Sequence, residues 1–441
     1  MTLLTIILLF LKNWWWFFLP IILVFPFKTI YLWWIRWEMW YKKQKWILLE
    51  IKPPKEILKP FRAMEDIINV LWGIYDGANW RERWCEGELI KGPYWMSFEM
   101  ASIGGKIHFY MRILAVWRDM IEATIYSHYP EIEISVVDDY TRQVPQDVPN
   151  AEWDLYSEDY STMKDDILPF KTYSAFFEER PEIIKEEKRL DPLDSLLEAM
   201  AKLKPAEQLW FQIVAAPITN GDIPWITKGK KIANQLAKRP AEKPARVVWR
   251  EAADLLITGT ITPPPKEEVG LIAPELRLTP GEREVLKGVE NKISKQGFRT
   301  WIRIVYLYKR KEPHNRGNYK IIRSYFNHFM TENLNSLVFW GPTRTRIHYW
   351  LKERRLFLRK RKQFRNYIER LPSLFPRTED GVPFWPFGLA PRGPGIRGTI
   401  ILNSEELATL YHFPAKIEAV TPAITPIEAK KGGPPPGLPT E

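Results

Sequence analysis

Basic side chains crowd one stretch near the C-terminus, and they are the strongest candidates for binding chemistry. Residues 341–370 hold eleven Lys and Arg against two Glu, a net charge of +9, while the whole chain carries +11. Within this stretch, residues 346–371 have a helical pattern in which apolar side chains share one stripe and cations surround it. The candidate binding residues are Arg354, Arg355, Arg359, Lys360, Arg361, Lys362 and Arg365.

Three kinds of partner suit this basic helix. Nucleic-acid phosphates would accept hydrogen bonds from its guanidinium and ammonium groups. An anionic lipid surface would also bind a cationic amphipathic helix. In the third interpretation the helix is a solvated face that pairs with the acidic residues 138–190, whose net charge is −7. The sequence leaves all three open.

Residue types that carry catalysis or hold metals show no productive spacing. The six histidines lack metal-ligand spacing, Cys85 has no neighbouring base, and Asp138-Asp139 suits a solvated strand end. The stretch 221–231 lacks the G-x-x-x-x-G-K-[ST] spacing of a phosphate-binding loop. We therefore expect that the protein is not an enzyme and has no catalytic residue, no metal site and no cofactor.

An apolar, tryptophan-rich N-terminus predicts a membrane anchor over residues 1–41. Residues 3–27 are long enough to cross a bilayer as a helix, and the Trp and Phe clusters resemble an interfacial aromatic belt. Eight basic residues follow between positions 28 and 59, so the positive-inside rule places the bulk of the chain in the cytoplasm. We expect localisation at the cell membrane through a single-pass or hairpin anchor.

The pattern over residues 45–142 predicts a compact domain with the order β-α-β-β-α-β, which is the ferredoxin-like arrangement. Gly104-Gly105 separates two alternating strands and suits a two-residue hairpin turn, which needs positive φ at both positions. Residues 143–340 predict a second α+β domain with a Pro-rich insertion at about 240–278. Helix starts are indicated by Asp191-Pro192 and by the capping box of Thr279 and Glu282.

After the basic amphipathic helix within 341–371, residues 372–441 are Pro/Gly-rich and predict a tail. The tail includes a short strand and helix at 399–411, where Asn403 and Glu406 form a capping box. The predicted fold class is therefore α+β. Its parts are an N-terminal transmembrane segment, a ferredoxin-like domain, a second α+β domain with an insertion, a basic helix and a Pro-rich tail.

Two sets of residues resemble a known family. The first set comprises 48–56, 63–65, 97–99, 102–105 and 129–134, and the second is Ile401-Leu402-Asn403-Ser404-Glu405-Glu406-Leu407-Ala408-Thr409-Leu410-Tyr411-His412-Phe413-Pro414. Together they resemble the membrane-anchored N-terminal region of conjugation-type coupling ATPases, the TraG/TraD-like members of the HerA–FtsK superfamily. That region is itself a domain of unknown function.

The resemblance implies a part in DNA or protein translocation at the membrane. In the family this region precedes a motor domain with a Walker A loop, which this chain does not show, so ATP hydrolysis is not carried over. We expect a non-catalytic membrane-anchored component of a conjugation or type IV secretion-like system. It would dock a HerA/TraG-type ATPase from another chain, with a homo-oligomer as a further expectation.

Two alternatives belong to other classes. The chain would act alone as a membrane-tethered nucleic-acid-binding protein, with DNA bound by the helix at 346–371. The other alternative is a membrane-bound enzyme whose chemistry the residues do not indicate.

Overall fold

A computed structural model describes most of the chain between residues 40 and 414. The described residues are 40–54, 57, 60–77, 94–176, 191–237, 239, 278–348, 350–373 and 399–414, with scattered positions between 12 and 31. Cys85, the insertion at about 240–278 and most of the predicted anchor lie outside them.

The described residues build one large antiparallel sheet, so the protein is a mixed α+β structure. The strands are β1 Trp46–Lys52, β2 Met96–Ile103, β3 Lys106–Leu114, β4 Glu133–Val137, β5 Trp153–Thr162, β6 Glu207–Ile218, β7 Gly297–Lys309, β8 Leu337–Phe339 and β9 Ile400–Asn403. Their order in the sheet is β4-β1-β3-β2-β6-β7-β5-β8, and β9 pairs with the first residues of β7.

Helices connect these strands. They are α1 Pro60–Leu71, α2 Arg118–His128, α3 Tyr173–Phe176, α4 Pro192–Ala201, α5 Trp225–Leu236, α6 Pro280–Ser294, α7 Ile321–Asn327, α8 Lys352–Ile368 and α9 Ser404–Leu410. The sequence signals for their starts are confirmed. Asp191 accepts a hydrogen bond from the Leu193 amide, and capping boxes open α6 at Thr279 and α9 at Asn403.

The two halves of the sheet repeat the same order of elements. The first half runs β1-α1-β2-β3-α2-β4, and the second runs β5-α4-β6-β7-α7-β8 if the single turn α3 and the two helices α5 and α6 between β6 and β7 are left aside. Outward from the centre, the strand order is β2-β3-β1-β4 on one side and β6-β7-β5-β8 on the other. The halves join where β2 pairs with β6, so the two predicted α+β units share one continuous sheet.

One connection hides this repeat in the sequence. In the first half, Gly104 and Gly105 form the β2–β3 turn with φ of 57° and 87°, as the hairpin pattern predicts. In the second half, the equivalent β6–β7 connection extends from residue 219 to 296 and includes α5 and α6. Because β6 and β7 are so far apart in the sequence, their pairing as neighbouring strands cannot be recognised from a short turn between them.

Alternation along the strands divides the side chains between two faces of the sheet. The first face buries Leu49, Phe98, Phe109, Phe211 and Ile304 under helices of both halves, namely α1, α2, α4, α7 and α9. The second face buries Leu48, Ala101, Trp210, Val305 and Leu307, and α8 packs on it through Phe364 and Tyr367.

The strand and helix predicted within the C-terminal tail are part of this core. Every residue from Ile400 to Pro414 is buried. Strand β9 extends the sheet beside Phe298, and Leu407 and Tyr411 pack into the core of the first face. Residues 400–414 therefore belong to the folded core, although the sequence pattern places them in a tail.

Within the described positions, none of the helices has the length and apolar character needed to cross a membrane. The predicted anchor at 1–41 falls mostly on residues outside the description, so it stays a prediction. Its described positions include exposed aromatic side chains, among them Trp14, Trp15 and Trp16.

Candidate functional site

Helix α8 carries the predicted basic residues and is held by its C-terminal half. It begins after Leu351 and ends before Arg370, two residues whose φ of 52° and 55° lie in the left-handed region. Phe364 and Tyr367 stack near Trp210, with ring centroids 6.2 and 5.4 Å from it. The helix is shorter than the predicted 346–371, and its first half extends beyond this buried contact.

Beneath α8, polar side chains from six neighbouring strands form a continuous row across the second face. Strand pairing places each member opposite the next one. The members of this polar row, in sheet order, are Glu50, Tyr110, Glu99, Gln212, Arg303 and Asp159. A row of this kind inside a sheet interior needs partners, because a buried polar group without a hydrogen bond is costly.

The end of α8 supplies several of those partners. Gln212 Nε2 donates to the carbonyl of Tyr367 at 3.2 Å, and Arg303 Nη1 donates to the carbonyl of Leu371 at 3.2 Å. Gln363 Nε2 donates to Asp159, which also accepts from Arg303 Nε at 2.6 Å. These contacts fix the position of the helix on the sheet.

Arg370 makes the strongest of these attachments. Its fully buried guanidinium donates to Glu99 at 2.9 and 3.1 Å and also pairs with Asp139. Burial alone would raise the pKa of Glu99 and of Asp139, but the charge and hydrogen bonds of Arg370 outweigh it and hold both pKa values below their ordinary range. The group is therefore ionised at neutral pH.

The predicted binding residues divide into two sets. Lys360 is largely buried and pairs with Asp154 at 2.6 Å, and Arg359 donates to the carbonyl of Arg344 at 2.9 Å. The other five are exposed: Arg354, Arg355, Arg361, Lys362 and Arg365. Among the described residues, Arg354, Arg361 and Arg365 have no carboxylate partner. Pairing with the acidic segment thus accounts for Lys360 and Arg370, but not for the outer face of α8.

Large apolar side chains share that outer face. Trp350 is 85% exposed, Leu351 60%, Leu358 56% and Phe357 43%. With 3.6 residues per turn, Leu351, Arg354, Leu358, Arg361 and Arg365 fall along one stripe. We call this the outer stripe of α8. It mixes exposed apolar groups with cations. The helical pattern in the sequence predicts one apolar stripe that holds Trp350 and Phe357 together with Phe364, but only Phe364 of these three is buried.

Trp40 and Tyr41, the last residues of the predicted anchor, lie on the same face of the sheet as α8. Trp40 and Tyr41 pack with Trp95 and Trp301 of the second face and with Leu371, just beyond the end of α8. The rings of Tyr41 and Trp95 stack at 3.8 Å between centroids. Residues 1–39 therefore join the folded body on the side where the outer stripe is exposed.

An open cleft runs along one flank of α8. Its volume is about 550 Å³, and it separates the helix from the segment around residues 146–148. Arg361, Lys362 and Arg365 line it together with the apolar side chains of Val148, Leu358 and Ile368.

The other residues considered for chemistry have structural contacts. His412 contacts Asp191 at 3.0 Å in the core, and His108 contacts Glu50 at 2.6 Å. Asp139 pairs with Arg370 as described. The described portion of the chain contains no group of three His, Cys, Asp or Glu residues placed to hold a metal ion.

Sequence reasoning missed the residues that hold the helix. Glu99, Gln212 and Arg303 are polar side chains with an apolar residue on either side, as in Trp301-Ile302-Arg303-Ile304. That interruption of an apolar strand was the available signal, because a lone charge in a buried strand must find a partner across the sheet or above it.

Comparison with protein families gives one match over most of the folded body. Residues 38–376 match the family model described as Domain of unknown function (DUF8128). A search of curated proteins finds no match. The match covers more than half of the chain and includes all of α8 and the polar row, so the chain belongs to this family of unknown function.

Proposed function

We propose that the chain is a non-catalytic, membrane-anchored component of a translocation system, and that α8 holds it against an anionic leaflet. The observation that carries the proposal is the outer stripe, in which exposed Leu351 and Leu358 lie beside exposed Arg354, Arg361 and Arg365, with exposed Trp350 just before the helix. A helix with such a face lies in the headgroup region, where its apolar side chains enter the acyl boundary and its cations meet lipid phosphates.

The position of the outer stripe supports the same proposal. Trp40 and Tyr41 connect the body to the apolar N-terminus on the second face of the sheet, and exposed Lys42, Lys43 and Lys45 follow them. An anchor at residues 1–41 would bring this face towards the bilayer. The anchor and α8 would then attach the same face of the sheet to the membrane. Two attachments fix the orientation of the sheet, whereas one flexible attachment would leave it free to rotate.

We also infer that each half of the sheet is a ferredoxin-like unit. The β-α-β-β-α-β order and the outward strand order of the two halves support this inference. The translocation setting and the docking of a HerA/TraG-type ATPase rest on the sequence resemblance. In this picture the sheet is a rigid platform between the membrane and that partner.

A depth measurement on the full chain in bilayers tests the membrane contact. A nitroxide is attached at Leu358→Cys in a Cys85→Ser background, and its accessibility to oxygen and to a water-soluble nickel complex is compared. We expect the label to be buried in anionic bilayers and hydrated in neutral ones. A label that stays in water in both bilayers would contradict the proposal.

Charge variants show whether the outer stripe is responsible. Replacing Arg354, Arg361 and Arg365 by Gln removes about 1 kcal/mol of surface attraction per cation, so docking of α8 should weaken by about 100-fold. The matched control replaces exposed Lys230 and Lys231 of α5 by Gln and should leave the depth of the label unchanged.

Nucleic-acid binding is the second candidate, because the exposed Arg354, Arg361 and Arg365 lie along one line on the helix. Phosphate contacts would make affinity fall steeply with salt, and the same triple variant would lower the slope of log K against log salt by about one unit per lost contact. Gel-shift titrations of the chain and both variants separate the candidates. DNA affinity that is equal in all three proteins removes nucleic acid as a ligand of α8.

A further inference from the structure

The cleft beside α8 has a lining that the outer stripe alone does not explain. Arg361, Lys362 and Arg365 line the wall that α8 forms, and Val148, Leu358 and Ile368 provide apolar surface. The volume of about 550 Å³ is in the range of small-molecule sites. A general electrostatic contact with a membrane needs no such concave space.

Both walls of the cleft are fixed to the same buried network. On one wall, the Tyr367 hydroxyl of α8 lies 2.7 Å from the hydroxyl of Tyr140, which donates to Glu99 at 2.7 Å. On the other wall, Gln146 Nε2 donates to the carbonyls of Thr141 and Val144, each at 2.9 Å. A site whose walls are already held loses little conformational entropy when it binds a ligand.

The three cations define the charged part of the ligand. Arginine presents a planar fork of donors that matches phosphate oxygens, and lysine adds a point charge. A phosphate monoester carries a charge of about −1.5 to −2 near pH 7 and three strong acceptor oxygens. It therefore pairs with the guanidinium groups of Arg361 and Arg365 better than a singly charged phosphodiester does.

The remaining lining defines the rest of the ligand. Leu358 and Ile368, with Val148 on the opposite wall, would contact an apolar group next to the phosphate. The ligand class is thus an amphipathic phosphate monoester. Of the sources with this chemistry, a lipid whose headgroup is a bare phosphate fits a cleft that opens beside the apolar outer stripe.

We propose that the cleft between α8 and residues 146–148 binds the phosphate monoester headgroup of an anionic lipid. The choice of a lipid as the source rests on the proposed membrane contact of α8. The recognition of a phosphate monoester rests on the lining of the cleft alone.

The test measures soluble ligands against the full chain in neutral detergent. The probes are dihexanoyl phosphatidic acid, a monoester, and dihexanoyl phosphatidylglycerol, a diester, each titrated calorimetrically and followed by ³¹P NMR. We expect the monoester to bind at least 10-fold more tightly. Bound cations should also lower the second pKa of its phosphate, which moves the midpoint of the ³¹P pH titration downward.

Variants of the cleft separate specific recognition from general attraction. Gln146→Glu places a carboxylate opposite the cations and should reduce monoester affinity by at least 10-fold. Gln146→Met loses the same hydrogen bonds to Thr141 and Val144 without adding a charge and should reduce the affinity less. The matched control is Gln143→Glu, which makes the same charge change on an exposed residue three positions away and outside the lining. Arg361→Gln with Arg365→Gln should abolish the preference for the monoester, and thermal melting of each variant checks that it is folded.

Different results contradict different parts of the proposals. Equal affinity for the monoester and the diester overturns the phosphate site, and so does an equal loss of monoester affinity in Gln146→Glu and Gln143→Glu. Membrane docking is tested separately by the depth measurement. Tighter binding of a 5′-phosphorylated oligonucleotide than of phosphatidic acid overturns the lipid source. A label at position 358 that stays hydrated, together with strong monoester binding, contradicts membrane docking and leaves the site intact.

Discussion

Arg370 and its two carboxylates are the residues on which the position of α8 depends. Glu99 accepts hydrogen bonds from Ser97 at 2.6 Å, from Tyr140 at 2.7 Å and from Gln212 at 3.1 Å, in addition to those from Arg370. Each carboxylate and the guanidinium is desolvated, so the group stabilises the fold only while all three charges are present. Removing one partner of a buried ion pair typically costs about 3–5 kcal/mol, since it leaves an uncompensated charge.

Glu99→Gln should therefore lower stability by about 3–5 kcal/mol at pH 7. The depressed pKa values of Glu99 and Asp139 stabilise the folded state above the unfolded pKa values, near 4, and this contribution disappears as pH falls through the lower folded values. The wild type should lose stability steeply below about pH 4, and the variant should lose less over the same range. Urea unfolding midpoints from pH 7 to pH 3 measure both effects.

The control for this prediction is Glu133→Gln. Glu133 pairs with Lys52 at 3.0 Å on the surface, where an ion pair contributes at most about 1 kcal/mol. If both variants have the same midpoint at pH 7, the buried group does not hold α8 as described.

At the scale of elements, the start of α8 is held in a conformation that its residue disfavours. Leu351 has φ of 52° and a side chain that is 60% exposed. A left-handed conformation costs a non-glycine residue about 1–2 kcal/mol, and Asn adopts it more readily than Leu. An exposed leucine at this point adds little to the folding of the domain, which fits a role in contact with another surface.

Leu351→Asn should raise the free energy of unfolding by about 0.5–1 kcal/mol and weaken docking of α8 on anionic bilayers. Stability and function would then change in opposite directions. Thermal melting measures the first effect, and the accessibility of a label at position 358 measures the second.

Leu358→Asn is the matched control within the regular helix. Asn is a poorer helix former than Leu by about 0.5 kcal/mol, so this variant should lose both stability and docking. Docking is then measured with the label at Leu351→Cys. A gain in stability in both variants, or in neither, would contradict the account of Leu351.

At the scale of the whole molecule, two similar halves share one sheet. Residues 399–414, which follow both halves in the chain, complete the core on the first face. Strand β9 pairs with β7 of the second half, while α9 packs against α1 of the first half. The buried ion pair of Lys292 and Glu406, at 2.9 Å, attaches α9 to α6. Residues 399–414 thus join both halves and α6 of the β6–β7 connection.

A chain that ends at residue 398 should therefore fail to fold cooperatively. It would lose five large buried side chains of this segment, each contributing about 1.5–3 kcal/mol, so the sum is comparable to the total stability of a domain. They are Leu402, Leu407, Leu410, Tyr411 and Phe413. Near-ultraviolet circular dichroism and limited proteolysis measure the loss.

A chain that ends at Pro414 is the control, because it keeps every contact described here. It should retain the near-ultraviolet spectrum and the protease resistance of the full chain. Cooperative unfolding of the chain that ends at residue 398 would mean that β9 and α9 are accessory to the core.

Local signals in the sequence determined the elements of this protein. Alternation, capping residues and Gly104-Gly105 predicted β1 to β4, the starts of α4, α6 and α9, and a basic helix, since each depends on neighbours a few residues away. Tertiary structure alone decided the rest. The repeat of the halves, the polar row beneath α8 and the burial of 400–414 all depend on pairings between residues far apart in the chain. Such pairings also decided which cations in and after α8 are buried. Lys360 of α8 pairs with Asp154 and Arg370 beyond its end pairs with Glu99, each more than two hundred residues away in the chain.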